Sequence, residues 1–194
     1  MDRNVILDLC GGTGAWSKPY KDAGYTAELI TLPRYDVTRV EFSTYAMQFW
    51  RRDVRYRESM TVLYDEIVGI LAAPPCTEFS IAKGALPRDL PKAMEIVEAC
   101  MRIIWETQRR TRLDFWALEN PRGLLRRFLG IPKFTFEQWQ FGGDKVKSTD
   151  IWGISTRRHQ RTKKNLQTEP AAKKGAPTRR IGRCRSSRLS TRSI

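Results

Sequence analysis

The stretch VILDLCGGTGAW, residues 5–16, decides the fold. Val5, Ile6, Leu7 and Leu9 make a short apolar run interrupted only by Asp8, the pattern of a strand covered on both faces. Gly11, Gly12 and Gly14 then turn the chain into a helix that begins near Trp16. A strand, an acid near its end and a glycine-rich turn into a helix form a cradle for a nucleotide cofactor. Glycine lets the backbone approach the ligand, and the helix start offers free N–H groups. The dinucleotide fingerprint G-x-G-x-x-G would need a third small residue where Ser17 stands and would leave Asp8 unexplained. A tight structural turn between strand and helix is the alternative reading.

Working outward, elements alternate in the βαβ manner that implies a parallel sheet. The first helix spans residues 16–23 and stops at Gly24, and residues 25–32 read as a second strand. Phe42, Tyr45, Phe49 and Trp50 fall near helical spacing, which predicts a helix over about residues 42–55 with its aromatics in the core. Residues 67–73 are a continuous apolar strand. From Pro91 to about residue 109 a long helix buries Ala93, Ile96, Val97, Cys100, Ile103, Ile104 and Thr107 on one face. Residues 115–118 form a further strand, followed by ENPRG (119–123). Residues 134–141 alternate as a strand, and GGDKVKSTDIWG (142–153) suggests a hairpin. The expected fold is α/β and Rossmann-like, a mostly parallel central sheet with helices on both faces.

At 194 residues the chain has room for one such domain, placed at residues 1–156. The remaining 157–194 read as a basic, disordered tail. From residue 151 onward the chain holds 13 Lys/Arg and one acid, Glu169, so this region carries +12 of the net +14. Such a segment is too poor in large apolar residues to fold alone. Its functional reading is electrostatic attachment to nucleic acid, and its alternative is a solvated extension without a dedicated partner. The absence of a long apolar run speaks against a membrane span. The chain start leaves no room for a signal peptide. Cys10, Cys76, Cys100 and Cys184 are widely separated and His159 is the single histidine. That spacing predicts neither a metal site nor a disulfide framework, and a cytoplasmic location fits.

The sequence AAPPCTEFS, residues 72–80, ends a buried strand in two prolines and then presents a cysteine. Pro74 and Pro75 lack the N–H that a ladder needs, so the strand stops there. Cys76 then lies just past a strand's carboxyl end, where open α/β sheets bind ligands.

DLCGGTG, PPCTEFS and ENP occur in the order seen in cytosine carbon-5 DNA methyltransferases, and the chain resembles that family over about residues 2–154. It looks most like the short phage or prophage members. The resemblance implies a class I S-adenosylmethionine-dependent methyltransferase fold and S-adenosyl-L-methionine as cofactor. It implies Cys76 as the nucleophile that adds to carbon 6 of cytosine and Glu119 as the group facing ring nitrogen 3. A thiolate is needed because carbon 5 is a poor nucleophile until carbon 6 has been attacked. Glu119 can serve as a proton donor if burial raises its pKa. Pro75, Ser80, Asn120, Lys147 and Thr149 fall at substrate-binding positions. Asp8, Cys10, Gly11, Gly12, Gly14, Trp16, Asp36 and Pro74 fall at cofactor-binding positions. The implied partner is DNA with its target cytosine flipped or single-stranded.

Departures from the family pattern are specific. Cys10 stands where an aromatic commonly meets adenine, and Ile30–Thr31–Leu32 stands where an acid commonly binds the ribose. Thr77 and Glu78 replace the usual pair after the cysteine, while Phe79 and Ser80 match. KVKST puts Lys147 and Thr149 at two positions usually held by arginine. No target-recognition region or returning C-terminal helix is recognisable, which leaves room for a protein partner that supplies recognition. Two rival readings stand beside DNA methylation: the same chemistry on RNA, and a catalytically degenerate nucleic-acid-binding protein.

Overall fold

Apolar runs that must be covered on both faces need a layer on each side, and the computed structural model shows how this chain provides them. It describes residues 3–53, 58–141 and 147–155, all within one compact unit, Met1–Arg158. The expected basic tail lies outside the described residues. The elements in order are β1 (Val5–Leu9), α1 (Lys18–Asp22), β2 (Thr26–Ile30), β3 (Tyr35–Phe42), β4 (Ala46–Arg51) and β5 (Ser59–Leu63). They continue with β6 (Ile67–Ala72), α2 (Leu90–Arg110), β7 (Phe115–Pro121), α3 (Arg126–Leu129), β8 (Phe134–Glu137) and β9 (Ser148–Ser155). Short 3-10 turns cover Tyr64–Glu66, Ile81–Lys83 and Gln138–Phe141. Among the described residues no helix is long and apolar enough to cross a membrane.

The protein is α/β, with a mixed six-stranded sheet in the order β2-β1-β6-β7-β9-β8. β2, β1, β6 and β7 run parallel, while β9 is antiparallel to both β7 and β8. The mostly parallel sheet expected from the alternation of elements is met in part: every strand but β9 points the same way. β8 runs in the same direction as β7, and the chain then turns back into β9, which therefore lies reversed between the two. β8 and β9 pair antiparallel, and residues 142–146 of the expected hairpin lie outside the described residues. The strand predicted over residues 134–141 ends at Glu137 and tightens into a 3-10 turn.

The helix predicted over residues 42–55 is absent. β3, β4 and β5 instead form a separate antiparallel sheet. The aromatic spacing concealed a period of two: Met47 and Phe49 are fully buried while Gln48 and Trp50 lie on the other face. Of the four aromatics expected in the core, Phe49 is fully buried whereas Tyr45 is 79% exposed. Ser43 makes the turn between β3 and β4, its hydroxyl donating to the Ala46 carbonyl at 3.0 Å and accepting from the Ala46 amide at 3.0 Å.

The second sheet explains why α2 is apolar over more than one stripe. Val97, Ala99, Cys100, Met101, Ile103, Ile104 and Thr107 are all buried, because the core joins α2 to Leu7, Leu9 and Ile70 of the large sheet and to Met47, Phe49 and Val62 of the small one. Each such aliphatic side chain contributes roughly 1.5–3 kcal/mol when fully buried. Asp89 caps α2 by accepting from the Lys92 amide at 3.1 Å, with Pro91 in the first turn. On the opposite face of the large sheet Ile6, Val68 and Leu71 pack with Trp16, Tyr20 and Phe115. There α1, only five residues long, packs on β2, its Tyr20 stacks on Phe115 at the start of β7, and Phe134 of β8 on that face stays 54% exposed.

Candidate active site

The chain leaves β1 toward β2 on one side and later returns to β6 on the other. The crevice between the carboxyl ends of β1 and β6 is therefore a topological switch point, the place where α/β sheets bind ligands. The glycine turn follows β1 and the Pro-Pro-Cys loop follows β6, so both motifs converge there.

In the glycine turn the Cys10 amide donates to the Ile30 carbonyl at 2.8 Å and the Gly14 amide to the Gly11 carbonyl at 3.0 Å. Cys10 takes φ 59°, an uncommon value for a residue with a Cβ. Asp8 lies fully buried beneath the turn. A Cβ on Gly11 would stand 2.0 Å from the Asp8 Oδ1, so the pair requires glycine there. Burial pushes the Asp8 pKa up and Ser17 draws it back. The Ser17 hydroxyl itself donates to the Gly14 carbonyl at 3.2 Å, and the Ser17 hydroxyl and amide are the donors that face the Asp8 carboxylate.

Beside this turn Cys10, Ile30, Thr31, Leu32, Tyr35, Asp36, Val37, Pro75 and Ile96 line a small pocket of about 120 Å³. Its walls are apolar apart from Thr31 and Asp36, and the end of β2 brings no acid to it. Asp36 is already ordered: its Oδ1 accepts from the Thr38 amide at 3.0 Å and hydroxyl at 2.7 Å, and its Oδ2 from Arg52 at 3.1 Å. The pocket has room for one ring system, not for a whole cofactor.

The cysteine loop is held at both ends by the loop after β7. The Asn120 side-chain amide donates to the buried Pro74 carbonyl at 2.9 Å. The Cys76 carbonyl accepts from the amides of Phe79 (3.0 Å) and Ser80 (2.8 Å), closing a tight turn. Phe79 is fully buried as the anchor, and its carbonyl accepts from the Leu124 amide at 2.9 Å. A Cβ on Gly123 would lie 2.3 Å from that carbonyl, so ENPRG ends in the residue that allows the two loops to touch. Glu78 secures the loop's outer end by accepting from Lys83 Nζ at 2.5 and 2.6 Å and from the Asp89 amide at 2.7 Å. Lys83 holds the Glu78 carboxyl below its ordinary pKa.

Glu119 is one strand away. With Trp16, Ala73, Phe134, Phe136, Gln138, Lys147, Thr149 and Ile151 it lines a cleft of about 600 Å³, the size of a small-molecule site. Strand register builds this cleft: Glu119, Ile151 and Phe134 are direct cross-strand neighbours, and Pro121, Thr149 and Phe136 form the next row. Burial raises the Glu119 pKa and the Lys147 ammonium lowers it, with burial the larger effect. The Thr149 side chain is buried and its hydroxyl has no partner.

The sequence-predicted residues therefore divide between neighbouring places. Cys10, Asp36 and Pro75 share the small pocket, and Glu119, Lys147, Thr149 and Trp16 share the large cleft. Trp16 was expected beside the cofactor, and the structure puts it with Glu119. Gly12 and Gly14 shape the first turn with positive φ. Asn120 and Pro74 act as the loop's fastening. Ser80, expected at the substrate, is used locally, since its hydroxyl accepts from the Ala82 amide at 3.2 Å and starts the turn Ile81–Lys83. Cys76 is half-buried and carries a free thiol.

Sequence reading missed a buried ion pair behind the cleft. Asp150 is fully buried and accepts from Arg126 Nε at 2.6 Å, Arg126 Nη2 at 2.5 Å and the Thr135 hydroxyl at 2.8 Å. Burial alone would raise its pKa, but Arg126 and Thr135 hold it below the ordinary value. A charge in the middle of the alternating STDIWG was the available signal. Among the described residues no cluster of metal-ligating side chains is present. The described residues form an α/β protein with two neighbouring recesses, a small one at the sheet switch point and a larger one over β7, β9 and β8. It matches no protein-family model and no curated protein sequence.

Proposed function

We propose that the protein is an S-adenosylmethionine-dependent cytosine carbon-5 methyltransferase of the class I, Rossmann-like fold, acting on DNA. The observation that carries this reading is the fastening of the Pro-Pro-Cys loop to the Glu-Asn-Pro strand end through Asn120 and Pro74. Two stretches distant in sequence, each with one residue the chemistry needs, are held side by side at the neighbouring ends of β6 and β7.

The residues present fit the cofactor in part. Gly11–Gly14, shaped from beneath by Asp8, would hold its polar end, and Cys10, Asp36 and Pro75 would enclose its ring system. No acid is available for a ribose, which predicts weak binding. When bound, the cofactor supplies a methyl group activated as a sulfonium.

Cys76, as the thiolate, forms a bond to carbon 6 of cytosine and so makes carbon 5 electron-rich. Glu119 in its protonated form donates to ring nitrogen 3 and stabilises the charge that develops there. Burial, by raising the Glu119 pKa, keeps that proton available nearer neutrality. Once carbon 5 carries the methyl group its proton passes to water, the electron pair left behind re-forms the 5,6 double bond and expels Cys76 as a thiolate, and the nitrogen 3 proton returns to Glu119.

The test is a covalent adduct with 5-fluorocytosine DNA in the presence of cofactor. Wild type should form it and Cys76→Ser should not, and full methylation by Cys76→Ala would end the proposal. The second reading, a nucleic-acid-binding protein that has lost catalysis, is favoured by the acid-free wall Ile30–Thr31–Leu32. Calorimetry showing no cofactor binding would select it.

A further inference from the structure

The open face of β7–β9–β8 carries a feature that methyl transfer does not require. Phe134 and Phe136 stand two residues apart on the edge strand β8 and therefore on one face. Their rings are stacked with centroids 5.8 Å apart and planes inclined by 23°. Phe134 is 54% exposed, yet both rings line the same cleft as Glu119. Thr135 points the other way, to Asp150 and Arg126, so the buried ion pair fixes which face the rings present. Exposed aromatic surface on an edge strand invites aggregation unless something covers it.

Charge identifies the occupant. Residues 1–150 hold 22 basic and 20 acidic side chains. Lys147, exposed, lines the cleft with the rings, and exposed Lys133 precedes Phe134 in the chain; the cleft's acid is Glu119, whose neutral form burial favours. Aromatic faces edged by exposed cations match nucleobases attached to phosphates. We propose that Phe134 and Phe136, with Lys147 in the same cleft and Lys133 beside Phe134 in the chain, form a stacking shelf for unpaired nucleotides beside the target base, so that the preferred substrate is a single strand.

The inference rests on the nucleic-acid reading above and names the strand state that reading left open. A duplex keeps its bases stacked on one another and has none to lay on the shelf, whereas a single strand exposes every ring face. Continuity between shelf and cleft lets one strand place its target base at Glu119 and a neighbour on Phe134.

The experiment uses full-length protein and fluorescein-labelled oligonucleotides of about twelve nucleotides, within the site sizes such surfaces take. Single-stranded DNA, single-stranded RNA and duplex DNA of one sequence are compared by anisotropy. The single strands should bind more tightly than the duplex, with the DNA and RNA arms showing which sugar is preferred. Phe134→Ala should weaken single-strand binding about tenfold, and Phe134→Trp should restore it. Lys133→Gln should reduce the logarithmic salt slope on a single strand by about 0.7. Because Phe134 is half exposed, its truncation leaves the fold intact, which an unchanged melting temperature checks. Equal binding of duplex and single strand with no effect of Phe134→Ala would overturn the shelf. So would dimerisation lost in Phe134→Ala, which would make a second copy the occupant. Cys76→Ser separates the two proposals: it should keep strand binding and lose the 5-fluorocytosine adduct. Shelf-dependent binding by a wild type that forms no adduct would sink the methyltransferase reading and leave the shelf standing.

Discussion

The side-chain amide of Asn120, at the end of β7, lies 2.9 Å from the carbonyl of Pro74, two residues before Cys76. Proline leaves its carbonyl as the only backbone hydrogen-bonding group, and burial denies it water, so Asn120 is its sole described partner. Asn120→Ala should destabilise the protein by about 1–3 kcal/mol, the usual effect of orphaning a buried acceptor. Single-turnover methylation should fall much further than cofactor affinity, because the loop carrying Cys76 is released while the glycine turn is untouched. Urea unfolding and calorimetry on the same variant check both parts.

Gly123→Ala should act through the same junction. Its Cβ would meet the Phe79 carbonyl at 2.3 Å, and backbone on both sides must move apart. A loss of about 1–3 kcal/mol in thermal unfolding is expected, in line with overpacking elsewhere. An unchanged melting temperature would show that the two loops are not in contact in solution.

Glu119 sets a pH dependence for both stability and activity. Its folded pKa is raised by burial, so the fold favours the protonated acid. That contribution is complete below the ordinary carboxyl pKa and is lost as pH rises through the raised value. Glu119→Gln removes the titration, so it should raise the melting temperature relative to wild type at about pH 8 and leave it unchanged at about pH 4. Methyl transfer by the wild type should fall on the alkaline side as the proton leaves.

Asp150 behaves in the opposite sense. Its folded pKa is lowered by Arg126 and Thr135 against the effect of burial. The stability it provides is present above the ordinary Asp pKa and is lost as pH falls through the lowered value. Arg126→Ala leaves a fully buried carboxylate without its cation. Because the Arg126 side chain is 33% exposed, the expected loss is about 2–4 kcal/mol at neutral pH, somewhat under that of a wholly buried pair. Denaturant melts at neutral and acid pH should show the gap narrowing in acid.

Leu32→Glu should strengthen cofactor binding. Leu32 lines the small pocket and is 54% exposed, so a carboxylate there meets little desolvation. One charged hydrogen bond is worth about 1.5–3 kcal/mol, which corresponds to roughly ten- to hundredfold in affinity. Calorimetry on wild type and variant measures it, and no gain would show that the ribose does not pass this wall.

Local chemistry was enough to read β1, the glycine turn, β6, α2 and the place of Cys76. Apolar runs, glycines, prolines and a capped amphipathic helix each act within a few residues. The same reasoning failed at residues 46–51, where Met47 and Phe49 are buried by a second sheet that no local signal announced. The hairpin expected over residues 142–153 already implied a reversed β9, but its insertion between β7 and β8 was hidden, because strand order is settled by packing over the whole sheet. Contacts between distant segments were also beyond reach: Asn120 on Pro74, Gly123 against Phe79, Arg126 on Asp150. PPC and ENP could be read as separate motifs, but their being fastened together depends on β6 and β7 becoming neighbours in the sheet. The sequence by itself determined which side chains can do chemistry and which strands end in front of them. Only the tertiary structure decided that Glu119, Thr149 and two stacked phenylalanines share one cleft, because cross-strand register is settled by packing over the whole sheet.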